Sequence, residues 1–442
     1  MRHRLAIAGL VFAASTFFNP AMADDSSGDV TPNKTVLSTN EQAMVEWIDG
    51  QQANMLAELK AHVELNTGTD NIVGLNQYRE ILAAELSRLG FTTETVDSDP
   101  IATLSCDAGN VEIAPHLVAK LRATGGRQIL LNGHMDTVFS NEDEFQTLQV
   151  DPDGTLHGPG VADMKGGIVV MLTALRALSE QGLLDHANLT VLLNSDEEIG
   201  SLGSRELIEA LAQQHDVGMV FEGTSANQFT RARKGLGQVR LKVIGRESHA
   251  GGAHADGVSA NLELAHKIID IEALTDYSSN VTVNAGVMRG GEKRNTVAGC
   301  ADAYIDLRFP SQSEGERLVA EINRITATAS VQNERFPNLP TIESWSVLHR
   351  PVKAQDDQVD KLIADAMGIS SLVGAPIVGT RYSGGGTDGS IAQNVGLPTV
   401  DSLGVDGTGA HSSREQSSLQ SLLERAKLAA ILLAREISGA AE

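Results

Sequence analysis

Five residues of metal-ligand type sit beside apolar runs: His134 after "ILLNG", Glu198 after "VLLN", Glu222 after "MVF", Asp163 ahead of "GGIVVMLTAL", and His411 downstream of "TVDSLG". Mixed imidazole nitrogens and carboxylate oxygens suit borderline or hard divalent cations, zinc in particular. A single ion would leave carboxylates over, whereas two ions sharing one bridging carboxylate use them all. The stretch "NSDEEIGSLGS" adds a question, because Asp196, Glu197 and Glu198 are adjacent. Three such charges repel unless water screens them or a cation is near. Taken singly, each residue has an ordinary explanation: a solvated loop for the triplet, a helix cap for Asp163, a core or surface place for either histidine. Their coincidence at successive strand ends is what points to a site.

Those strand ends belong to a recognisable pattern. "RQILLNGH", "GGIVVMLTALRALSEQG", "NLTVLLNSDEE" and "DVGMVFEG" alternate strand-like and helical runs up to about residue 230, as in an α/β domain whose largely parallel sheet is covered by helices. In such sheets ligands lie beyond the carboxyl ends of the strands, which sends the candidate ligands to one rim. From about Gly235 the period changes to two, with Val239, Leu241, Val243 and later Ala303, Ile305, Leu307, Phe309 on one side. Amphipathic helices near 258–273 and 313–328 separate these strands, and the order strand, helix, strand, strand, helix, strand predicts a small ferredoxin-like α+β domain. After about residue 345 the first texture returns and closes with a helix over 418–437. The expected organisation is an α/β domain in two segments, 41–233 and 345–442, with an α+β lid and dimerisation domain, 234–344, inserted between them.

The bulk properties exclude some functions. A length of 442 residues predicts more than one domain, and 41% hydrophobic with 21% charged residues describes a globular chain. The formal charge of −23, without a cluster of Lys and Arg, argues against nucleic acid as a partner. The start, "MRHRLAIAGLVFAASTFFNPAMADD", has the basic, apolar and small-residue parts of an export signal cleaved near Ala23. A membrane anchor is the competing reading, but the run from Leu5 to Phe18 is shorter than the ~20 residues a spanning helix needs. The expectation is a secreted or periplasmic protein with no stable membrane anchor, its mature chain beginning in a flexible arm over 24–40. Cys106 and Cys300 are the only cysteines; their places in different domains favour two unpaired buried thiols over one disulfide.

"GHMDTV", "GPGVADMKGG", "SDEEIGSLGS", "FEGTSA", "SHAGG", "GGGTD" and "GAHS" resemble, in order and spacing, the dizinc metallopeptidase and aminoacylase family that includes bacterial glutamate carboxypeptidase, acetylornithine deacetylase and succinyl-diaminopimelate desuccinylase. The likeness extends over nearly the whole chain beyond about residue 40. It implies two zinc ions per subunit, with Asp163 bridging them, His134 and Glu222 completing one site, and Glu198 and His411 the other. It further implies that Asp136 orients His134, and that Glu197 is the general base on a metal-activated water, which divides the adjacent carboxylates between two tasks. Asp196 is then expected to be structural, its charge offset by the nearby cations. His249 matches a lid histidine that in many dimeric members reaches the partner's active site. Asn295, Arg308, Arg350 and Gly386 match substrate-binding positions, the arginines suiting a carboxylate. Departures are Met164, where an acidic residue is common, and His254 and Ser259 in the turn after the lid histidine.

The resemblance therefore implies a homodimeric metallohydrolase that cleaves a C-terminal amide bond in a small peptide or folyl-glutamate, in the manner of glutamate carboxypeptidase, and the signal-like start adds the expectation that it is exported. Two alternatives stand beside it. An N-acyl-amino-acid deacylase would use the same metal site, and a catalytically silent binding protein would keep the fold without the chemistry.

Overall fold

A computed structural model describes residues 36–439 apart from 108, 124, 375 and 376. The export signal over 1–23 and the arm up to residue 35 lie outside the described residues. The rest of the expected arm is already a helix start, since Ser38 caps the Thr39–Asp49 helix in a reciprocal box with Glu41. Among the described residues no helix is long and apolar enough to cross a membrane.

Two sheets organise the chain. Their strands are β1 (Thr92–Val96), β2 (His116–Leu121), β3 (Gln128–His134), β4 (Asn188–Asn194), β5 (Val217–Val220), β6 (Gly235–Ile244), β7 (Thr282–Gly290), β8 (Cys300–Phe309), β9 (Thr341–Arg350) and β10 (Thr399–Val400). The larger sheet runs β1-β2-β4-β3-β5-β10. Strands β4, β3, β5 and β10 are parallel, while β2 pairs antiparallel with β4 and β1 antiparallel with β2, making the sheet mixed. The continuous apolar runs of β3 and β4 are buried on both sides, as parallel central strands require. Ile129, Leu131, Val191 and Leu193 join the core shared with the helices Lys165–Glu180 and Leu419–Ser438. Leu130 and Leu192 face the opposite layer, with Ile208, Leu211 and Ile391 of the helices Arg205–Ala212 and Asp388–Asn394. The Lys165–Glu180 helix is buried nearly all round because both the sheet and the Leu419–Ser438 helix pack on it.

The second sheet, β7-β8-β6-β9, is wholly antiparallel. With the helices Ala260–Glu272 and Gln312–Thr326 it makes the expected order of strand, helix, strand, strand, helix, strand. Val239, Leu241, Val243, Ala303, Ile305, Leu307 and Phe309 form one apolar core beneath those helices. Alternation sends Leu236, Gln238, Arg240, Tyr304, Asp306 and Arg308 to the other face, where they line a cleft against the α/β domain. Strand β9 runs past residue 344 to Arg350, so the last strand of the inserted domain itself carries His349 and Arg350 into the cleft.

The expectation of two free thiols is overturned. Cys106 and Cys300 form a disulfide, their Cα atoms 5.9 Å apart across a sequence separation of 194 residues. They do belong to different domains, but the segment after β1 leaves the α/β domain and reaches across to the start of β8. Sequence distance alone carried no trace of that crossing.

Candidate active site

Because β3, β4 and β5 are parallel, their carboxyl ends open on one rim, and each delivers a ligand-type residue there. His134 is the last residue of β3, Glu198 lies in the short turn after β4, and Glu222 follows β5. Asp163 precedes the Lys165–Glu180 helix, and His411 comes from the loop after β10. The structure gathers all five. His134 Nε2 lies 3.2 Å from Asp163 Oδ1 and 3.4 Å from Glu222 Oε1. His411 Nε2 lies 3.2 Å from Asp163 Oδ2 and 3.2 Å from Glu198 Oε2. Asp163 thus turns one oxygen to each of two half-sites, and within each half-site the donor atoms lie within 4.8 Å of one another.

These residues fit a pair of divalent ions. Burial pushes Glu198 up to about 8 and Glu222 up to about 7, and the charge of Asp163 adds to both shifts. Burial acts on Asp163 in the same sense, but hydrogen bonds from His134 and His411 outweigh it and hold that carboxyl well below the usual range. Hydrogen bonds to Asp163 and Glu198 carry His411 up to about 11. A cluster of this kind carries its negative charge only opposite concentrated positive charge. Glu198 Oε1, buried and without a hydrogen-bond partner, is a free lone pair facing the same place. Nitrogen and carboxylate donors in this ratio match zinc.

The acidic triplet resolves into three separate jobs. Asp196 is fully buried, and besides the nearby Arg350 charge its cost is offset by hydrogen-bond donors at the start of the Arg205–Ala212 helix. Oδ2 accepts from the Gly203 and Ser204 N–H groups at 2.7 and 3.2 Å, and Oδ1 accepts from the Ser204 hydroxyl at 2.6 Å. Glu198 joins Asp163 and His411 in one of the two clusters of candidate ligand atoms. Glu197 points into the cleft, where its Oε1 accepts from Arg350 Nη2 at 2.7 Å. The turn closes at Gly200, whose φ of +102° favours glycine and where a Cβ would lie 2.7 Å from His349 Nδ1.

Asp136 is fully buried and ties this arrangement together. Its backbone oxygen lies 3.0 Å from His134 Nδ1, leaving Nε2 for a metal. Its carboxylate accepts from the Glu197 and Glu198 N–H groups at 3.2 and 3.1 Å and from Thr69 at 2.9 Å. One residue therefore positions both the histidine, through its backbone oxygen, and the glutamate pair, through its carboxylate. Met164 is accounted for as well: its sulfur accepts the His134 N–H at 3.1 Å beneath the metal cluster.

Arg350 lines the cleft but is only 1% exposed, and its two terminal nitrogens are used differently: Nη1 is buried without a hydrogen-bond partner and is left for a carboxylate, whereas Nη2 is already paired. Nη2 donates to the Glu197 carboxylate and, at 3.1 Å, to the Glu197 carbonyl, and Asp388 Oδ1 is 3.2 Å away. The charges of Glu197 and Asp388 hold its guanidinium charged against the effect of burial. Through Nη2, Arg350 is a positioning residue in this arrangement. Arg350→Lys keeps the charge but loses the planar guanidinium whose Nη2 donates to side chain and carbonyl together. Its expected result is a fall in kcat of roughly 10²-fold with KM little changed; a large rise in KM with kcat intact would make carboxylate binding, not the hold on Glu197, its main role.

Arg308 lines the cleft, with Nε on Asp306 at 2.7 Å and Nη1 on the Gly384 carbonyl at 3.1 Å. Gly386 lines it too, and its carbonyl accepts from Arg233 Nη1 at 3.1 Å. His249 and Asn295 are exposed and do not line the cleft of their own chain. His249 Nδ1 accepts from the Gly251 and Gly252 N–H groups at 3.1 and 3.0 Å, which leaves Nε2 to carry the proton outward. His254 is exposed in the same turn, and Ser259 caps the next helix by accepting from Leu262 N–H.

Some residues of the site had no signal in the sequence. Glu415 is fully buried and receives the Gly160, Ala162 and Asp163 N–H groups at 3.0, 2.8 and 2.9 Å, so it shapes the loop that presents Asp163. Arg233, paired with Asp401 at 2.6 Å, and Arg381, held by Thr230 and Ser225, join Arg308 in the cleft. An arginine inside an apolar strand was the available hint in "FTRAR". The cleft has a volume of about 1020 Å³, enough for a substrate larger than a single amino acid.

Residues 130–435 match the peptidase family M20/M25/M40. The chain is 30% identical over 387 residues to carboxypeptidase G2 of Pseudomonas sp. (strain RS-16), covering 87% of this chain and 89% of that one. It is 28% identical over 337 residues to acetylornithine deacetylase of Shigella sonnei, covering 69% and 83%. Among solved structures, the M20 family metallo-carboxypeptidase Sso-CP2 of Sulfolobus solfataricus superposes with a TM-score of 0.65 at 16% identity, over 87% of this chain and 99% of that one.

Proposed function

The chain belongs to peptidase family M20/M25/M40 and is a metallohydrolase of peptide or amide bonds, and from that premise we propose that it is an exported, dizinc carboxypeptidase releasing a C-terminal amino acid. The observation that carries this reading is Asp163, whose two oxygens each face a separate half-site at 3.2 Å. Bound there, two zinc ions would supply polarisation of the scissile carbonyl and a water of lowered pKa. Ligation falls to His134 and Glu222 on one side, Glu198 and His411 on the other, with Asp163 between.

Glu197 takes the water's proton on its carboxylate and returns it to the leaving nitrogen. Arg350 and the Asp136 carboxylate hold Glu197 at its side chain and backbone, so that the base does not have to be ordered at each turnover. Arg308, Arg233 and Arg381 gather near the Gly384–Gly386 turn and give the cleft a cationic end suited to the free carboxylate of a substrate. The similarity to carboxypeptidase G2 supports glutamate as the released residue.

Export is supported by the signal-like start and by the disulfide, which persists in oxidising compartments. A homodimer through the second domain is supported by the outward-facing His249, which its own cleft does not use, and by the sheet-edge strand β7 with Met288 50% exposed.

The test is amino-acid release by the mature protein with zinc, read by mass spectrometry over C-terminal dipeptides, a folyl-glutamate and N-acyl amino acids. Release from peptides or folates, lost on chelation, is the expected result. Release confined to simple N-acyl substrates would assign the chain to deacylation instead.

A further inference from the structure

Between β1 and β2 the chain makes an excursion over residues 97–112 that serves neither apolar core. Among its described residues the regular structure is the pairing of Ile101–Ala102 with Asn110–Val111, and a ribbon that short does not hold its own shape in water. Three contacts fix it to the second domain. Cys106 is bonded to Cys300 at the start of β8, the Cys106 N–H donates to Asp302 Oδ2 at 3.1 Å, and Arg240 Nη1 donates to the Ala102 carbonyl at 3.0 Å. Arg240 is itself held against the rings of Trp345 and Tyr304, 4.8 and 5.5 Å from their centroids. The side chains that the excursion turns to the cleft are Ile101 and Val111.

Their position along the cleft follows from strand register. Leu236 pairs with Arg308 and Arg240 pairs with Tyr304, so the arginine end and the excursion end lie four residues apart on β6, roughly 13 Å. At the near end Arg308 touches the Gly384 carbonyl, with Arg233 on Gly385 and Gly386. At the far end Ile101, Val111, Val287 and Tyr304 make a largely apolar lining, in which the Arg240 guanidinium is stacked on the Tyr304 and Trp345 rings and donates to the Ala102 carbonyl. A substrate whose carboxylate sits at the cationic end directs its acyl portion toward the apolar one.

We propose that the 97–112 excursion, pinned to the second domain by the Cys106–Cys300 disulfide, is the distal wall of the substrate cleft and selects large apolar acyl groups through Ile101 and Val111. This rests on the amide-hydrolase reading above. The disulfide matters because it removes the freedom of a segment that has no core of its own, so the wall stays in place between substrates.

The test compares benzoyl-glutamate with acetyl-glutamate, which share a leaving group and differ in the acyl end. In Ile101→Ser/Val111→Ser the benzoyl-to-acetyl ratio of kcat/KM is expected to fall about tenfold. In Cys106→Ser/Cys300→Ser it is expected to fall in the same direction. A ratio is indifferent to how much of each variant is folded. A ratio within twofold of wild type in the first variant overturns the wall, and a fall in the first without a fall in the second overturns the pinning. Turnover of neither compound by wild type would refute glutamate as the released residue, and calorimetric binding of the same pair then decides the wall. Preferential binding of benzoyl-glutamate that Ile101→Ser/Val111→Ser abolishes supports it; equal binding of the two compounds by wild type overturns it.

Discussion

Glu197→Gln is expected to lower kcat by roughly 10²–10⁴-fold, the usual contribution of a positioned general base, while zinc content stays at two ions per chain. The amide is close to isosteric, still accepts from Arg350 through its carbonyl oxygen, and cannot take a proton at neutral pH. Glu197 stands outside both clusters of ligand atoms, whereas its neighbour Glu198 belongs to one of them. The contrast between the two glutamates is therefore the decisive measurement. Glu198→Gln should reduce metal content as well as rate, and Glu197→Gln should reduce rate alone. Steady-state kinetics beside elemental analysis of the dialysed protein reads both quantities. Activity of Glu197→Gln within tenfold of wild type would remove this residue from the reaction.

Asp163→Asn should be more damaging, because it touches both half-sites at once. The carboxylate offers Oδ1 toward His134 and Oδ2 toward His411; an amide offers one oxygen and no charge. The remaining carboxylates, Glu198 and Glu222, belong to different half-sites, so neither replaces the bridge. Metal content is expected to fall below one ion per chain after dialysis and activity by more than about 10³-fold. The backbone of this segment is independently held by Glu415, which makes loss of fold an unlikely source of the effect and lets circular dichroism serve as the control. Two ions retained at normal affinity would show that Asp163 is not the bridge.

Much of this site was legible before any coordinates, for a definite reason. His134, Glu198 and Glu222 follow strands whose unbroken apolar runs mark them as central and parallel, and parallel strands place their carboxyl ends on a common rim. The period-two runs of β6 and β8 similarly announced one buried face, and Val239, Leu241, Val243, Ile305 and Leu307 are all in the second core. Local pattern was sufficient wherever burial and backbone geometry shared the same period.

Partner choice between distant segments has no such period. The sheet is mostly parallel, as expected, but the periodicity did not reveal that β1 and β2 extend it on one side as antiparallel strands, a matter of which strand lies beside which. Nothing in the residue type of Arg350 tells of a contact with Glu197; the packing of β9 over the β4 turn brings its Nη2 there. Glu415 looked like any surface glutamate until the Asp163 loop folded its amides around it. Cys106 and Cys300 met because an excursion with no core of its own crossed to another domain. Local periodicity thus located the strands, the change of texture and the strand ends at which the five candidate ligands stand, and the resemblance of the motifs to a known family implied the class of chemistry. The disulfide, the hold on the base and the shape of the cleft came from long-range packing, since a side chain's partner is set by the neighbours that the fold brings to it.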